Sequence, residues 1–327
     1  VSLSELAEDG LPESPLVGIV RRVREPGLPV LVVAHRGDSQ NAPENTLAAF
    51  GLAVDQQADL LEFDVHQTAD GDVVVIHDEK LDRTTDGQGD VSRMRTADVR
   101  AVSAGAWFSP RFAAERVPLL DEVLDLCRRR RVVPMIEIKA KWKRTQDCGR
   151  RVVQALARHG LLERAVVICR DLNRVGEVRA ASPVTPLSTI TFTKRQARTA
   201  MKLAGVGGVD CYWKSLSLGL VAQLRQGSFF VTPWTVNRAR DMERLFLLGC
   251  EAIITDSPVT LRDRIEGFEF ARTRDRLARW RADGEDLDLE AAAEADPNED
   301  EPDPSPDELA REAVSKDSSP DILLQDA

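Results

Sequence analysis

The sequence predicts an α/β fold, a TIM (β/α)8 barrel with an insertion after its second strand, on three observations. Short β-branched runs alternate with longer stretches of helical periodicity from about residue 31 onward, as repeated parallel βα units do. The runs number eight, which is the number that closes such a barrel. The chain of 327 residues exceeds the roughly 250 that one barrel needs, so one barrel with extensions accounts for the length.

The candidate strands are Leu31–Ala34, Leu60–Val65, Val133–Ile138, Ala165–Cys169, Leu187–Ile190, Val209–Trp213, Phe229–Thr232 and Ala252–Ile254. Apolar residues at three-to-four spacing with charged outer faces predict helices over Leu119–Arg131, Gln146–His159, Leu218–Arg225 and Arg238–Leu248. After the second strand, the turn dipeptide Asp70-Gly71 joins 65–68 to 73–76 as a hairpin and delivers His77 back toward the strand end. Residues 78–117 then run without clean periodicity. An insertion there overhangs the face of a barrel that carries chemistry, as a candidate lid or substrate wall. The domain organisation is therefore an N-terminal extension over 1–30, the barrel over 31–262 with its insertion at about 78–117, a C-terminal helix over 263–280, and a tail over 281–327.

That tail holds 17 Asp and Glu against three basic residues, which leaves the first 280 residues with a net charge of +4 inside a chain of −10. It is acidic, Pro-containing and almost without aromatics, so it is expected to be disordered. No stretch approaches the ~18 apolar residues of a membrane span. Contact with a lipid surface remains open to a peripheral protein. The chain starts with Val1, which leaves room for a removed leader. Five cysteines, an odd number without CxxC spacing, fit free buried thiols in a reducing compartment, and cytoplasm is the expected location. The run Arg128-Arg129-Arg130-Arg131 ends a predicted helix, where cations complement the dipole, so no nucleic-acid partner is expected. Oligomeric state is not legible.

The chemistry lies around the second strand. Residues two apart share a face of a strand, so Glu62 and Asp64 point together into the barrel mouth. Two buried like charges repel unless a cation lies between them. A third carboxylate stands at Glu137, with Lys139 on its own face. Three oxygen donors and no thiolate favour Mg2+ or Ca2+ as the divalent cofactor. His35 ends the first strand and His77 follows the hairpin, and imidazoles exchange protons near neutrality. Arg36 brings a planar fork suited to phosphate oxygens, and Gly37 lets the backbone approach a ligand. His66 shares the face of Glu62 and Asp64 but lies farther out and is expected at the rim. His159 reads as a helix C-terminus.

In order along the chain, His35-Arg36-Gly37, Pro43-Glu44-Asn45-Thr46, Glu62-x-Asp64, Thr68-x-Asp70-Gly71, His77-Asp78, Leu81-x-Arg83-Thr84-Thr85, Glu137-Ile138-Lys139, Trp234-Thr235-Val236-Asn237 and Thr255-Asp256-x-Pro258 resemble the glycerophosphodiester phosphodiesterase family. The resemblance spans about residues 31–260. It implies a TIM-barrel enzyme that uses a divalent cation to hydrolyse small-molecule glycerophosphodiesters to sn-glycerol 3-phosphate and an alcohol. It implies Glu62, Asp64 and Glu137 as metal ligands, and His35 and His77 as general acid and base. Arg36 and Lys139 fall where phosphate-facing cations are expected, and Trp234 where the pocket is lined. Glu44 is expected to brace the His-Arg-Gly loop, and Asp256 and Pro258 to close the last turn of the barrel. The element Gly249-Cys250-Glu251-Ala252-Ile253-Ile254 departs from the family's usual Gly-Val-Asp-Gly-Ile-Ile. Two alternatives stand beside this reading. One is a lysophospholipase D-like activity with an apolar groove drawn from Trp107, Phe108, Phe112, Phe192, Tyr212 and Trp213; the other is a noncatalytic ligand-binding barrel.

Overall fold

A computed structural model describes residues 15–23, 28–139, 145 and 147–268. The expected acidic tail, and the expected C-terminal helix beyond residue 268, lie outside the described residues. Eight parallel strands form the barrel: β1 (Leu31–His35), β2 (Leu60–Gln67), β4 (Val133–Ile138), β5 (Val166–Ile168), β6 (Leu187–Thr191), β7 (Gly208–Tyr212), β8 (Phe230–Trp234) and β9 (Ala252–Thr255). Their order is β8-β7-β6-β5-β4-β2-β1-β9. The ring closes where the Val236 N–H donates to the Ile254 carbonyl at 2.9 Å. The ninth strand, β3 (Val73–Val75), pairs antiparallel with β2 through Val65↔Val75, so the Asp70-Gly71 hairpin forms as expected. Every predicted strand is present to within two residues at either end.

The connecting helices are α2 (Leu47–Asp55), the single-turn α3 (Thr96–Val99), α4 (Leu120–Arg130), α5 (Cys148–Arg158), α6 (Leu172–Ala181), α7 (Lys194–Ala200), α8 (Leu218–Gln226), α9 (Ala239–Leu247) and α10 (Pro258–Gly267). Outward-facing strand residues such as Val32, Phe63, Ile136, Val167 and Ile253 pack on the apolar faces of these helices in the larger core. All five cysteines are buried and unpaired, and all five belong to that core. Among the described residues no helix is long and apolar enough to cross a membrane.

A second core fills the barrel. Leu31, Leu60, Val133, Val166, Phe230 and Ala252 stand at the starts of six strands and point inward together. Residues 15–21, part of the segment read from the sequence as an N-terminal extension, form α1 (Pro15–Arg21), and its Leu16, Val17, Ile19 and Val20 join the same cluster. Pro15 begins the helix, where its missing N–H costs nothing. This short helix thus plugs the end of the barrel opposite the strand C-termini. A third, smaller core sits inside the insertion, where Val74, Ile76, Leu81, Val91, Val99, Ala104 and Val117 pack together. The excursion over 78–117 is therefore a packed wall.

Because Leu16 is fully buried in the plug, Leu16→Ala is expected to lower stability by about 2–5 kcal/mol. Thermal melting checks this, and turnover of the folded variant should stay close to that of the parent chain, since the plug lies at the far end from the strand C-termini.

Candidate active site

β1 delivers His35 to the mouth of the barrel, and the chain then turns through two left-handed residues, Arg36 at φ 58° and Gly37 at φ 88°. A Cβ on Gly37 would lie 2.6 Å from the Ala49 backbone, so only glycine fits there. The turn sends the Arg36 guanidinium back over the strand ends, where Nη1 is 2.9 Å from Glu44 Oε1 and Nε is 3.1 Å from Asp64 Oδ2. In the next loop Asn45 also adopts φ 58°, which its short amide tolerates. Its Nδ2 donates to Asp64 Oδ2 at 2.9 Å, while its Oδ1 accepts from the Asp64 N–H at 3.3 Å. Thr46 then caps α2 by accepting from the Ala49 N–H, and it donates to the Pro43 carbonyl. The Pro-Glu-Asn-Thr element therefore places one brace for Arg36, one clamp for Asp64 and one helix start in consecutive residues.

Glu62, Asp64 and Glu137 converge with one oxygen from each within 4.8 Å of the others. The β2–β4 register, Asp64↔Glu137, fixes that proximity. Lys139 Nζ lies 2.8 Å from Glu137 Oε1 and 3.4 Å from Asp64 Oδ1. Burial pushes the Glu62 carboxyl well above the usual range, and the neighbouring charges of Asp64 and Glu137 push the same way. Burial opposes ionisation of Asp64 too, but Lys139, a charged His77, Arg36 and the Asn45 hydrogen bond outweigh it and hold that carboxyl below the usual range. Asp64 Oδ1 is buried and accepts no hydrogen bond among the described residues. A buried oxygen that Lys139 approaches without a hydrogen bond, inside a set of three carboxylates, fits a hard cation, whose charge would relieve both the repulsion and the unmet acceptor.

Two imidazoles face this cluster, each fixed by a carboxylate. His35 Nδ1 donates to Asp256 Oδ1 at 2.6 Å, which leaves Nε2 4.0 Å from Glu62 Oε2. Asp256 also accepts from Ser39 Oγ at 3.0 Å and from Asn237 Nδ2 at 2.6 Å. Burial works against ionising Asp256, but the charge and hydrogen bond of His35 and these two donors hold its carboxyl below the usual range. His77 Nδ1 donates to Asp78 Oδ1 at 2.7 Å. Burial, aided by the positive charge of Arg36, pushes the His77 imidazole down to about 4, so it is neutral at pH 7.

The structure brings His35, His77, Arg36, Lys139, Glu62, Asp64 and Glu137 together. A cavity of about 380 Å³ opens beside them, lined by His35, Arg36, Glu44, Asn237 and Asp256 among others. Trp234 does not line it; the indole stands on β8 in an aromatic group with Phe192 and Tyr212. His66 is not at the rim as its position suggested. It is buried, and its Nε2 donates to the His77 carbonyl at 3.0 Å, bracing the backbone that carries the second imidazole. The sequence left Asp256 between closing the last turn of the barrel and a catalytic role; its inward parity at the end of β9, matching that of His35 on β1, could have linked it to that imidazole. Arg83, in the insertion, makes paired 2.8 Å hydrogen bonds to Glu44 and a 2.7 Å one to Asp78, joining the wall to both loops. The aromatics offered for an apolar groove fall in two sets, Trp107, Phe108 and Phe112 in the insertion and Phe192, Tyr212 and Trp213 at the mouth.

Residues 35–260 match the model of the glycerophosphoryl diester phosphodiesterase family. A glycerophosphodiester phosphodiesterase of Caldanaerobacter subterraneus is 34% identical over 233 residues, 71% of this chain and 96% of that one. One of Bacillus subtilis is 30% identical, with 70% of this chain and 84% of that one covered. Among solved structures, a phosphodiesterase of Oleispira antarctica in complex with the product sn-glycerol-3-phosphate superimposes with a TM-score of 0.69 at 25% identity, covering 73% of this chain and 98% of that one. A glycerophosphodiester phosphodiesterase of Agrobacterium tumefaciens does so with a TM-score of 0.63 at 25% identity, covering 72% and 99%.

Burial lowers the proton affinity of His66 and of His77 in the folded chain. The unfolded chain, with ordinary histidines near 6.5, then binds more protons, so stability rises with pH in that window and falls as pH drops below about 6.5. The urea midpoint is expected to decline from pH 7 to pH 5, and to decline less in His66→Gln; an equal decline in both would show that His66 stays charged when folded.

Proposed function

The chain belongs to the glycerophosphoryl diester phosphodiesterase family, and from that membership we propose that it hydrolyses glycerophosphodiesters to sn-glycerol 3-phosphate and an alcohol with a divalent cation and two histidines. The observation that carries this reading is the pair of carboxylate-fixed imidazoles facing one cluster of three buried carboxylates. The product complex of the Oleispira relative supports the substrate class.

Glu62, Asp64 and Glu137 would hold Mg2+ or Ca2+. When bound, the ion neutralises charge on a nonbridging phosphate oxygen. Arg36 and Lys139 present cations to the remaining phosphate oxygens from the two sides of the carboxylate cluster. Trp234, with Phe192 and Tyr212, forms an aromatic group on the far side of the mouth, outside the cavity beside the histidines.

Asp256 and Asp78 each fix a ring through Nδ1, so proton exchange with the substrate falls to Nε2 of His35 and His77. One Nε2 takes the proton of the attacking hydroxyl while the other gives a proton to the departing alkoxide. Both roles need the imidazole held in one orientation, and the hydrogen bonds of 2.6 and 2.7 Å supply that.

His35→Ala and His77→Ala are each expected to lower the rate of glycerol 3-phosphate release by about 10² to 10⁴ while leaving the far-ultraviolet dichroism unchanged. Turnover within a few-fold of the parent in both variants would remove the acid–base assignment. Chelation should abolish release, and Mg2+ or Ca2+ should restore it; release that survives exhaustive chelation would remove the metal.

A further inference from the structure

Across the mouth from the histidines stands a cation for which the reaction above has no use. β4 and β5 pair in parallel with Glu137↔Ile168, so Lys139 and Arg170, each two residues on, stand level at neighbouring strand ends. Parallel strands lie about 4.8 Å apart, which puts Arg170 one strand beyond the phosphate-facing cations. Ile168 points into the barrel core, and Arg170 shares its parity. Arg170 is half-buried, and its guanidinium lies over the Phe192 ring, 5.4 Å from its centroid. Among the described residues it pairs with no carboxylate.

The platform beneath Arg170 is rigid. Phe192 meets Trp234 edge-on at 90° with centroids 5.4 Å apart, and the Phe192 N–H donates to Gln196 Oε1 at 2.8 Å. Trp234 is held in turn, because its Nε1 donates to the Asp210 carbonyl at 2.8 Å. The cation–π contact holds the guanidinium against the ring, and the N–H donors that do not face the ring are left to meet an oxyanion.

We propose that Arg170, seated on Phe192, is the binding site for a second anionic group of the substrate, carried on its alcohol. This rests on the phosphodiesterase reading. The glycerol 3-phosphate half has no anion besides the reacting phosphate, so a distal oxyanion belongs to the alcohol. A cationic headgroup would instead meet a like charge where the aromatic face is already covered.

The test uses a matched pair of diesters with the whole chain and its cation: glycerophosphoglycerol, whose alcohol is neutral, and bis(glycerophospho)glycerol, which adds one distal phosphodiester to the same scissile linkage. The ratio of kcat/KM, second diester over first, is expected to fall at least about tenfold in Arg170→Gln, mainly through KM, and to be partly restored in Arg170→Lys. An equal loss on both diesters, or a ratio unchanged by the substitution, would overturn the subsite while leaving the phosphodiesterase reading intact. No release of glycerol 3-phosphate from either diester by the folded parent chain would overturn that reading, and the subsite with it.

Discussion

Three carboxylates buried at one end of a barrel are the constraint that organises this molecule. Each loses solvation on folding and each repels the other two, so the arrangement stands only with positive charge and hydrogen-bond donors aimed at it. The left-handed turn at Arg36 and Gly37 brings a guanidinium to Asp64, and the β4 parity brings Lys139 to Glu137 and Asp64. Asn45 supplies one more donor to Asp64. Among the described residues Glu62 accepts one hydrogen bond, at 3.3 Å from the Arg36 N–H, and its carboxyl is the one pushed well above the usual range. The imbalance is what a site meant for a further cation would show, since the charge of the ion would offset the burial and repulsion that cause the shift.

The same constraint explains the wall. Arg36 is drawn toward Glu44 as well as Asp64, and Glu44 is in turn gripped by Arg83 from the insertion. Although burial works against ionisation, Arg83 and Arg36 lower the Glu44 carboxyl to about 2, so it is charged throughout the useful pH range. Arg83 also holds Asp78, the carboxylate that orients His77. One arginine thus couples the loop after β1 to the loop after β3, and the small core of the insertion keeps that arginine in place.

Much of this was legible in the sequence because local spacing carried it. Strand parity alone put Glu62 beside Asp64 and Lys139 on the face of Glu137, and apolar runs covered on both sides marked every barrel strand. What escaped the reading was non-local or lacked a polar face. Asp256 is 221 positions from His35, and nothing near it in sequence announces the hydrogen bond. α2, Leu-Ala-Ala-Phe-Gly-Leu-Ala-Val-Asp, is apolar nearly all round and shows no helical stripe, while α7 is only seven residues long. α1 needs the empty floor of a barrel to explain its burial. His66 was misjudged because its parity is right but the hairpin folds over it, converting a rim position into a buried one.

The mouth is divided by charge and by rigidity. The arc from β9 through β1 to β4 holds the ionisable groups: Asp256, His35, Arg36, the three carboxylates and Lys139. The arc from β5 to β8 is built of Arg170, Phe192, Tyr212 and Trp234, whose ring contacts and backbone hydrogen bonds fix them before any ligand arrives. Beneath that arc, Ser188 and Thr232 donate to Asp210, a carboxyl that burial lifts to about 7. Its raised proton affinity leaves less negative charge under the aromatic group than an ordinary carboxylate would place there. On the proposed function, reaction falls to one side of this ring and recognition to the other, and variation on the second side would alter which alcohol is accepted without disturbing the electrostatic balance on the first.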